Sequence, residues 1–288
     1  RDIGVTGVQT CALPISKFYD PTIHGINWKM YHDDYAKFLP HISNNYDFQE
    51  LLSELLGELN GSHTGGRYSP QPLNPDNTAA LGLLYDETYT GTGIKVMEVI
   101  PEGPADMAKS KIRPGVTIEK IDGESVNGGE DWSRMLNRKA GRFTLLSGKD
   151  AAGNSWEETI KPISFGEESA LMYKRWTRKM YQIVDSISKG KVGYVHVQGM
   201  NDGSYRSVID EVMGKNKNKQ AIIIDTRFNG GGWLHNDLLT LFTGKTYLEF
   251  APQGNKVPPT EPMDRWQKPS CVLMGEGNYS DAFIFPYI

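Results

Sequence analysis

The stretch Ala221-Ile222-Ile223-Ile224-Asp225-Thr226-Arg227-Phe228-Asn229-Gly230-Gly231-Gly232-Trp233 decides the fold. Its first residues read as a short buried strand, its glycines stop that strand, and residues 233–242 carry helical spacing. The same rhythm extends on both sides. Residues 192–197 read as a strand and 204–213 as a helix, while 271–274 read as a further buried strand. Strand and helix in alternation imply a mostly parallel sheet. Residues 169–288 are therefore expected to form an α/β core that opens on a helix over 169–187.

The preceding part of the chain follows another pattern. Residues 76–164 hold short β-rich runs separated by turns, among them 93–100, 114–123 with its Asp122-Gly123 turn, 143–146 and 156–160, with one helix expected over 130–136. Upstream, residues 17–60 repeat apolar positions at three- and four-residue steps, with a break at Pro40 and Ser43-Asn44-Asn45. They read as two helices, the second stopped by Asn60-Gly61. The proline-bearing run 68–75 reads as a linker. The expected organisation is a helical segment over 17–67, a β-rich domain over 76–164 and the α/β core over 169–288.

Residues 1–15 are set aside. Back-translated, residues 1–2 and 5–15 resemble a sequencing-adapter oligonucleotide, with Ile3-Gly4 in the place of an index. A signal peptide is the alternative, but the basic n-region and continuous apolar region are missing. Of the two cysteines, Cys11 falls in this segment and Cys271 is expected to be a buried core thiol. No disulfide framework follows from one cysteine.

The 288 residues, 38% hydrophobic and 23% charged, describe a globular chain. A net charge of -4 gives no reason to expect a nucleic acid partner, and no apolar run is long enough for a membrane span. Metal motifs of the His-Glu-x-x-His, paired-cysteine or calcium-loop kind are missing, and no cofactor is implied.

In α/β sheets reactive groups gather just past the carboxyl ends of strands, and two such places stand out. Gly230-Gly231-Gly232 reads either as a tight strand-to-helix turn or as a pocket of backbone N–H groups for an anion. Ser280, in Gly277-Asn278-Tyr279-Ser280-Asp281-Ala282-Phe283, reads either as a helix cap or as a nucleophile at the corner between a strand and a helix. A serine nucleophile needs a base. Of the six histidines, His63 in Gly61-Ser62-His63-Thr64-Gly65-Gly66 sits on a small-residue loop that would expose its imidazole.

Three segments taken together resemble one family. Residues 55–65 around His63, 225–232 with the glycine loop and 277–283 around Ser280 are similar, in order and spacing, to the motifs of tricorn-type serine proteases. These belong to the C-terminal-processing peptidases, family S41. The resemblance covers almost all of residues 17–288. It implies a β-α-β catalytic core of the ClpP/crotonase kind, a PDZ-like domain over 76–164 and endopeptidase activity on peptides or unfolded polypeptides.

By the same resemblance Ser280 is the nucleophile, His63 the general base and Ser62 the group that orients it. The N–H groups of Asp281 and of Gly230 or Gly231 hold the oxyanion. Leu81-Gly82-Leu83-Leu84 resembles the carboxylate-binding loop of PDZ folds. The family also implies a further glutamate, or in its Ser–Lys branch a lysine, beyond the nucleophile. The sequence ends at Ile288 without either, so a truncated gene fragment is expected. A homo-oligomer and a cytoplasmic location, with the periplasm next, follow from the resemblance alone. The rival readings are a catalytically inactive peptide-binding module and an esterase, which the missing Gly-x-Ser-x-Gly disfavours.

Overall fold

A computed structural model of the protein describes residues 18–70, 72–127, 129–251, 253–254 and 260–288; the adapter-like segment and Cys11 lie outside them. The chain divides into two compact units, Arg1–Pro75 and Asp76–Ile288.

In the first unit, α1 (Trp28–Ala36) starts where the Asn27 side chain accepts the Met30 N–H. Helix α2 (Asn45–Gly57) starts on Asn44, which accepts from Tyr46 and Asp47. These asparagine caps satisfy N–H groups that have no partner within the helix. Between the helices, Leu39–His41 makes a single 3-10 turn with proline in it. The apolar stripe buries Trp28, Leu55 and Leu59 together, with Tyr31, Tyr35 and Leu56 packed on them. Asn60, at φ 47°, ends this region in the left-handed conformation that asparagine tolerates.

The second unit begins with a β-rich segment. Strands β1 (Ala79–Ala80), β2 (Leu83–Tyr85), β3 (Ile94–Val99), β4 (Thr117–Ile121), β5 (Glu124–Ser125), β6 (Thr144–Lys149), β7 (Ser155–Ile160) and β8 (Ile163–Ser164) follow in order. Five of them form an antiparallel sheet in the order β2-β3-β4-β6-β7, and β5 pairs with β4 through the Asp122-Gly123 turn. Both turn residues have positive φ, as a two-residue hairpin turn of this twist requires. The helix expected over 130–136 is a shorter 3-10 turn, Trp132–Leu136. β1 and β8 pair antiparallel, Ala79 opposite Ser164. The segment thus leaves and returns at one place. Leu81, Val96, Ile112, Ile118, Ile121 and Leu146 are among the side chains of its own core.

Helix α3 (Phe165–Ile187) leaves this segment through a capping box of Ser164 and Glu167. It is tied back to the sheet by ion pairs. Arg175 grips Glu98 at 2.6 and 2.5 Å, while Lys174 and Arg178 reach Glu102 at 2.8 and 2.9 Å.

Beyond α3 the expected alternation appears: β9 (Val192–His196), α4 (Asp202–Met213), β10 (Ala221–Asp225), α5 (His235–Thr243), β13 (Ser270–Leu273) and α6 (Asp281–Tyr287). A minor hairpin, β11 (Leu248–Glu249) with β12 (Thr260–Glu261), interrupts the sequence before β13. β13, β10 and β9 form a parallel sheet with β10 in the middle. Ile222 and Ile224 of β10 are buried with Val195, Val208, Leu238 and Phe285. Cys271 departs from expectation: it is exposed. β13 and β9 are both edge strands of the sheet among the described residues, but α3 and α4 pack on β9, whereas β13 keeps most of its residues exposed. No described helix is long and apolar enough to cross a membrane.

Candidate active site

β10 delivers Asp225 to the carboxyl edge of the sheet, where it is fully buried. Tyr194 donates its hydroxyl to Asp225 Oδ2 at 2.7 Å, and Arg227 supplies Nε at 3.0 Å, Nη2 at 2.7 Å and its own N–H at 3.0 Å. Burial alone would raise the Asp225 carboxyl, but the Arg227 and Tyr194 donors outweigh it and hold the group below the ordinary carboxylate range. This pairing sets the direction in which the chain leaves the strand. His196, in the next strand, holds Arg227 O at 2.9 Å through Nε2 and the Tyr173 hydroxyl at 2.8 Å through Nδ1. Burial depresses its pKa, consistent with a neutral ring at neutral pH.

The glycine loop itself is organised by Asn229, whose side chain is fully buried. Its Nδ2 donates to Val197 O at 2.8 Å, its Oδ1 accepts the Gly231 N–H at 2.9 Å, and its carbonyl accepts the Tyr279 N–H at 3.1 Å. One asparagine thus joins β9, the glycine loop and the serine segment. Gly231 takes φ 94°, and a Cβ there would meet Tyr279 O at 2.7 Å and Ser280 Cβ at 2.8 Å. At Gly230 the same addition would meet open space. The Gly230 N–H makes no hydrogen bond among the described residues, whereas that of Gly231 is engaged by Asn229.

The serine segment runs from β13 to α6 through a loop held by Asn278, which donates to Thr226 Oγ1 at 2.8 Å and Ala282 O at 3.0 Å and accepts from Gly275 N–H at 2.9 Å. Ser280 stands at the corner with φ 54° and ψ −123°, and its side chain makes no capping bond to α6. Such a conformation in a residue with a Cβ costs about 1–3 kcal/mol and persists only where the surroundings impose it. Here Gly231 approaches the Ser280 corner closely, and the next residues, Asp281 and Ala282, are buried.

Asp281, nearly fully buried, points its carboxylate away from the corner. Oδ2 accepts the N–H groups of Leu234 at 2.5 Å and His235 at 3.1 Å, and Oδ1 is bonded to His235 Nδ1. The carboxylate therefore caps α5, whose positive end favours it. The Asp281 N–H, in the first turn of α6, has no intrahelical acceptor by geometry.

Ser62 and His63 belong to the first unit. Both are exposed, on a loop closed by Thr64 Oγ1 donating to Gly61 O at 2.9 Å and by Ser53 Oγ bridging the Gly66 N–H at 3.0 Å and Gly66 O at 3.1 Å. His63 has φ 63°.

Leu81-Gly82-Leu83-Leu84 forms the turn from β1 into β2, with Leu81 and Leu83 buried. Gly82, at φ 68°, donates its N–H to Glu168 Oε1 of α3 at 3.1 Å. Among the described residues no group of three His, Cys, Asp or Glu side chains could hold a metal ion.

Ser280, Asp281, Gly230 and Gly231 thus come together at the carboxyl edge of the parallel sheet. Asn229, Asn278 and His235 were assigned no role from sequence. The two asparagines stood inside the motif segments, but nothing local distinguishes a buried organiser from a loop residue.

Residues 16–57 match the Tricorn protease C1 domain, and residues 191–288 match Peptidase family S41. The chain is 26% identical over 278 residues to a tricorn protease homolog of Saccharolobus solfataricus, covering 91% of this chain and 25% of that protein. It is 28% identical over 267 residues to the tricorn protease of Thermoplasma acidophilum, covering 89% and 24%. The chain thus spans about a quarter of the length of these curated relatives. The crystal structure of the tricorn protease superposes with a TM-score of 0.74 at 22% identity, covering 97% of this chain and 28% of that one, so the fold is shared. Residues 191–288 thus match peptidase family S41, and the chain as a whole is similar in sequence and fold to tricorn-type proteases.

Proposed function

We propose that the protein is a serine endopeptidase in which Ser280 is the nucleophile and His63 the general base. The observation that carries this reading is the Ser280 corner. Its backbone is held at φ 54° and ψ −123°, and the hydroxyl is not spent on capping α6. A residue that merely started a helix would gain nothing from this strain, whereas a nucleophile gains an exposed hydroxyl beside backbone donors.

In the proposed reaction the Ser280 hydroxyl oxygen attacks the peptide carbonyl carbon as His63 takes its proton, with Ser62 orienting the ring. The carbonyl oxygen becomes an oxyanion, held by the N–H groups of Asp281 and Gly230. Gly230 is preferred over Gly231 because the Gly231 N–H already serves Asn229. Collapse of the tetrahedral intermediate breaks the C–N bond, and the proton on His63 goes to the leaving amine. Water then attacks the acyl carbon as His63 takes its proton, and collapse breaks the bond to the Ser280 oxygen, which regains the proton from His63 as the acid product leaves. Asp281 contributes through its side chain as well, because that carboxylate ties the start of α6 to the start of α5.

The β-rich segment is read as a PDZ-like domain that binds peptides, with Leu81-Gly82-Leu83-Leu84 at its carboxylate loop. An unpaired strand edge next to such a loop suits an added peptide strand. The substrates that fit both parts are peptides and unfolded polypeptides.

A fluorophosphonate probe applied to the wild type, Ser280→Ala and His63→Ala tests the catalytic assignment. Labelling is expected in the wild type, none in Ser280→Ala and a rate reduced at least a hundredfold in His63→Ala. Labelling that survives Ser280→Ala would identify another nucleophile. Wild-type rates in His63→Ala would remove His63 as base.

A further inference from the structure

The turn that leads into β2 already holds a carboxylate. Glu168, in the first turns of α3, places Oε1 3.1 Å from the Gly82 N–H. The site is built for close approach: Gly82 has φ 68°, and a Cβ there would lie 2.6 Å from Pro104 Cδ. Its carbonyl is held by the Ile100 N–H at 2.9 Å, so the loop cannot turn away.

The occupant is weakly held. Glu168 is half-buried, burial raises its pKa, and the Gly82 N–H is what favours its charged form. It is in no ion pair among the described residues, although Lys174, Arg175, Arg178 and Lys179 follow on the same helix. Lys174, Arg175 and Arg178 are all paired with Glu98 and Glu102 instead. A carboxylate drawn partly out of water with a single backbone donor and no cation is poorly compensated.

Two further features lie next to it. β2 pairs only with β3, and its other edge has no partner strand among the described residues. A cleft of about 510 Å³ opens along β2, lined by Leu83, Leu84, Tyr85, Met97 and Trp132. A carboxylate anchor, an unpaired strand edge and an apolar cleft in sequence are what an extended peptide ending in a free carboxylate requires.

We propose that Glu168 is a displaceable internal occupant of this carboxylate site, so that the C-terminal carboxylate of a peptide binds at Gly82 in competition with it. The proposal rests on the peptide-binding reading of the β-rich segment. It adds that helix α3, which leads from that segment into the catalytic core, must release its carboxylate when a peptide is bound.

Fluorescence anisotropy with a labelled decapeptide of apolar C-terminus, as the free acid and as the amide, tests it on the wild type, Glu168→Gln and Glu168→Asp. Glu168→Gln keeps the side-chain volume and loses the charge, whereas Glu168→Asp keeps the charge and shortens the reach. The free acid is expected to bind both variants at least fivefold tighter than the wild type, and the amide to bind all three weakly. Equal affinity of the free acid for all three proteins would overturn the competition while leaving peptide binding intact. No binding of the free acid to any of them would overturn the peptide-binding reading and the proposal with it. An amide that binds as well as the acid would show that Gly82 does not receive the terminus.

Discussion

Gly231 passes Ser280 so closely that a Cβ on the glycine would lie 2.8 Å from Ser280 Cβ. The glycine loop and the serine corner are therefore one packed unit rather than two loops that happen to be near each other. With φ at 94°, Gly231→Ala adds backbone strain to a clash with Tyr279 O and Ser280 that only movement of the serine segment relieves. A displacement of this kind is expected to lower kcat/KM about a hundredfold or more. Gly230→Ala meets open space and keeps its N–H, so it is expected to stay within about threefold of wild type. Steady-state cleavage of a fluorogenic peptide compares the two. Equal loss in both would mean that the close approach at Gly231 has no special part in activity.

Asp281 should matter to stability as much as to rate. Removing its carboxylate with Asp281→Ala leaves the N–H groups of Leu234 and His235 without their acceptor at a buried helix start. A cost of about 2–4 kcal/mol is expected, combining a lost charged cap with unsatisfied donors. Urea unfolding measures it, and a change below about 0.5 kcal/mol would contradict the capping role.

Asn229→Ala leaves the Val197 carbonyl and the Gly231 N–H without partners in a fully buried place. The expected loss is about 2–3 kcal/mol in unfolding free energy. Freed from Asn229, the Gly231 N–H can turn, so the loss in kcat should exceed any rise in KM. A kinetic defect confined to KM would point to substrate binding instead.

Acid should loosen α3 from the β-rich sheet. The hydrogen bonds from Arg175 hold Glu98 below the usual carboxylate range, and those from Lys174 and Arg178 do the same for Glu102. Depressed folded values mean that the unfolded chain binds protons first. The stabilisation is then complete above the ordinary value of 4.5 and fades as pH falls through the depressed folded values. Glu168 has the opposite sign: burial raises its folded value, so its ionised form weakens the fold once pH rises through that value. Thermal melts between pH 3 and 7, roughly spanning the carboxylate range, should show a shallower acid loss in Arg175→Met. They should also show a gain in Tm for Glu168→Gln that is present at pH 7 and vanishes toward the acid end. A Glu168→Gln gain that persists unchanged into acid would mean that charge burial is not its cause.

The sequence by itself determined the order of the elements, because periodicity, asparagine caps and Gly or Asp-Gly stops are local. Residues 221–225 could be little other than a core strand, and the helices at 28–36, 45–57 and 202–213 begin where an Asn side chain can cap them. It also drew attention to Gly230-Gly231-Gly232 and Ser280 at strand ends, with a turn and a helix cap still open as readings, and the family resemblance added Asp281. What only the tertiary structure decided were the partners across distance. Asn229 engages Val197 and Tyr279, Asp281 engages His235, and Glu168 engages Gly82; each pairing joins segments whose approach depends on how the sheet and helices pack. Cys271 is a lesson of the same kind. An apolar run predicts burial, but whether a strand lies in the middle or at the edge of a sheet depends on pairing with other strands, which no local pattern encodes.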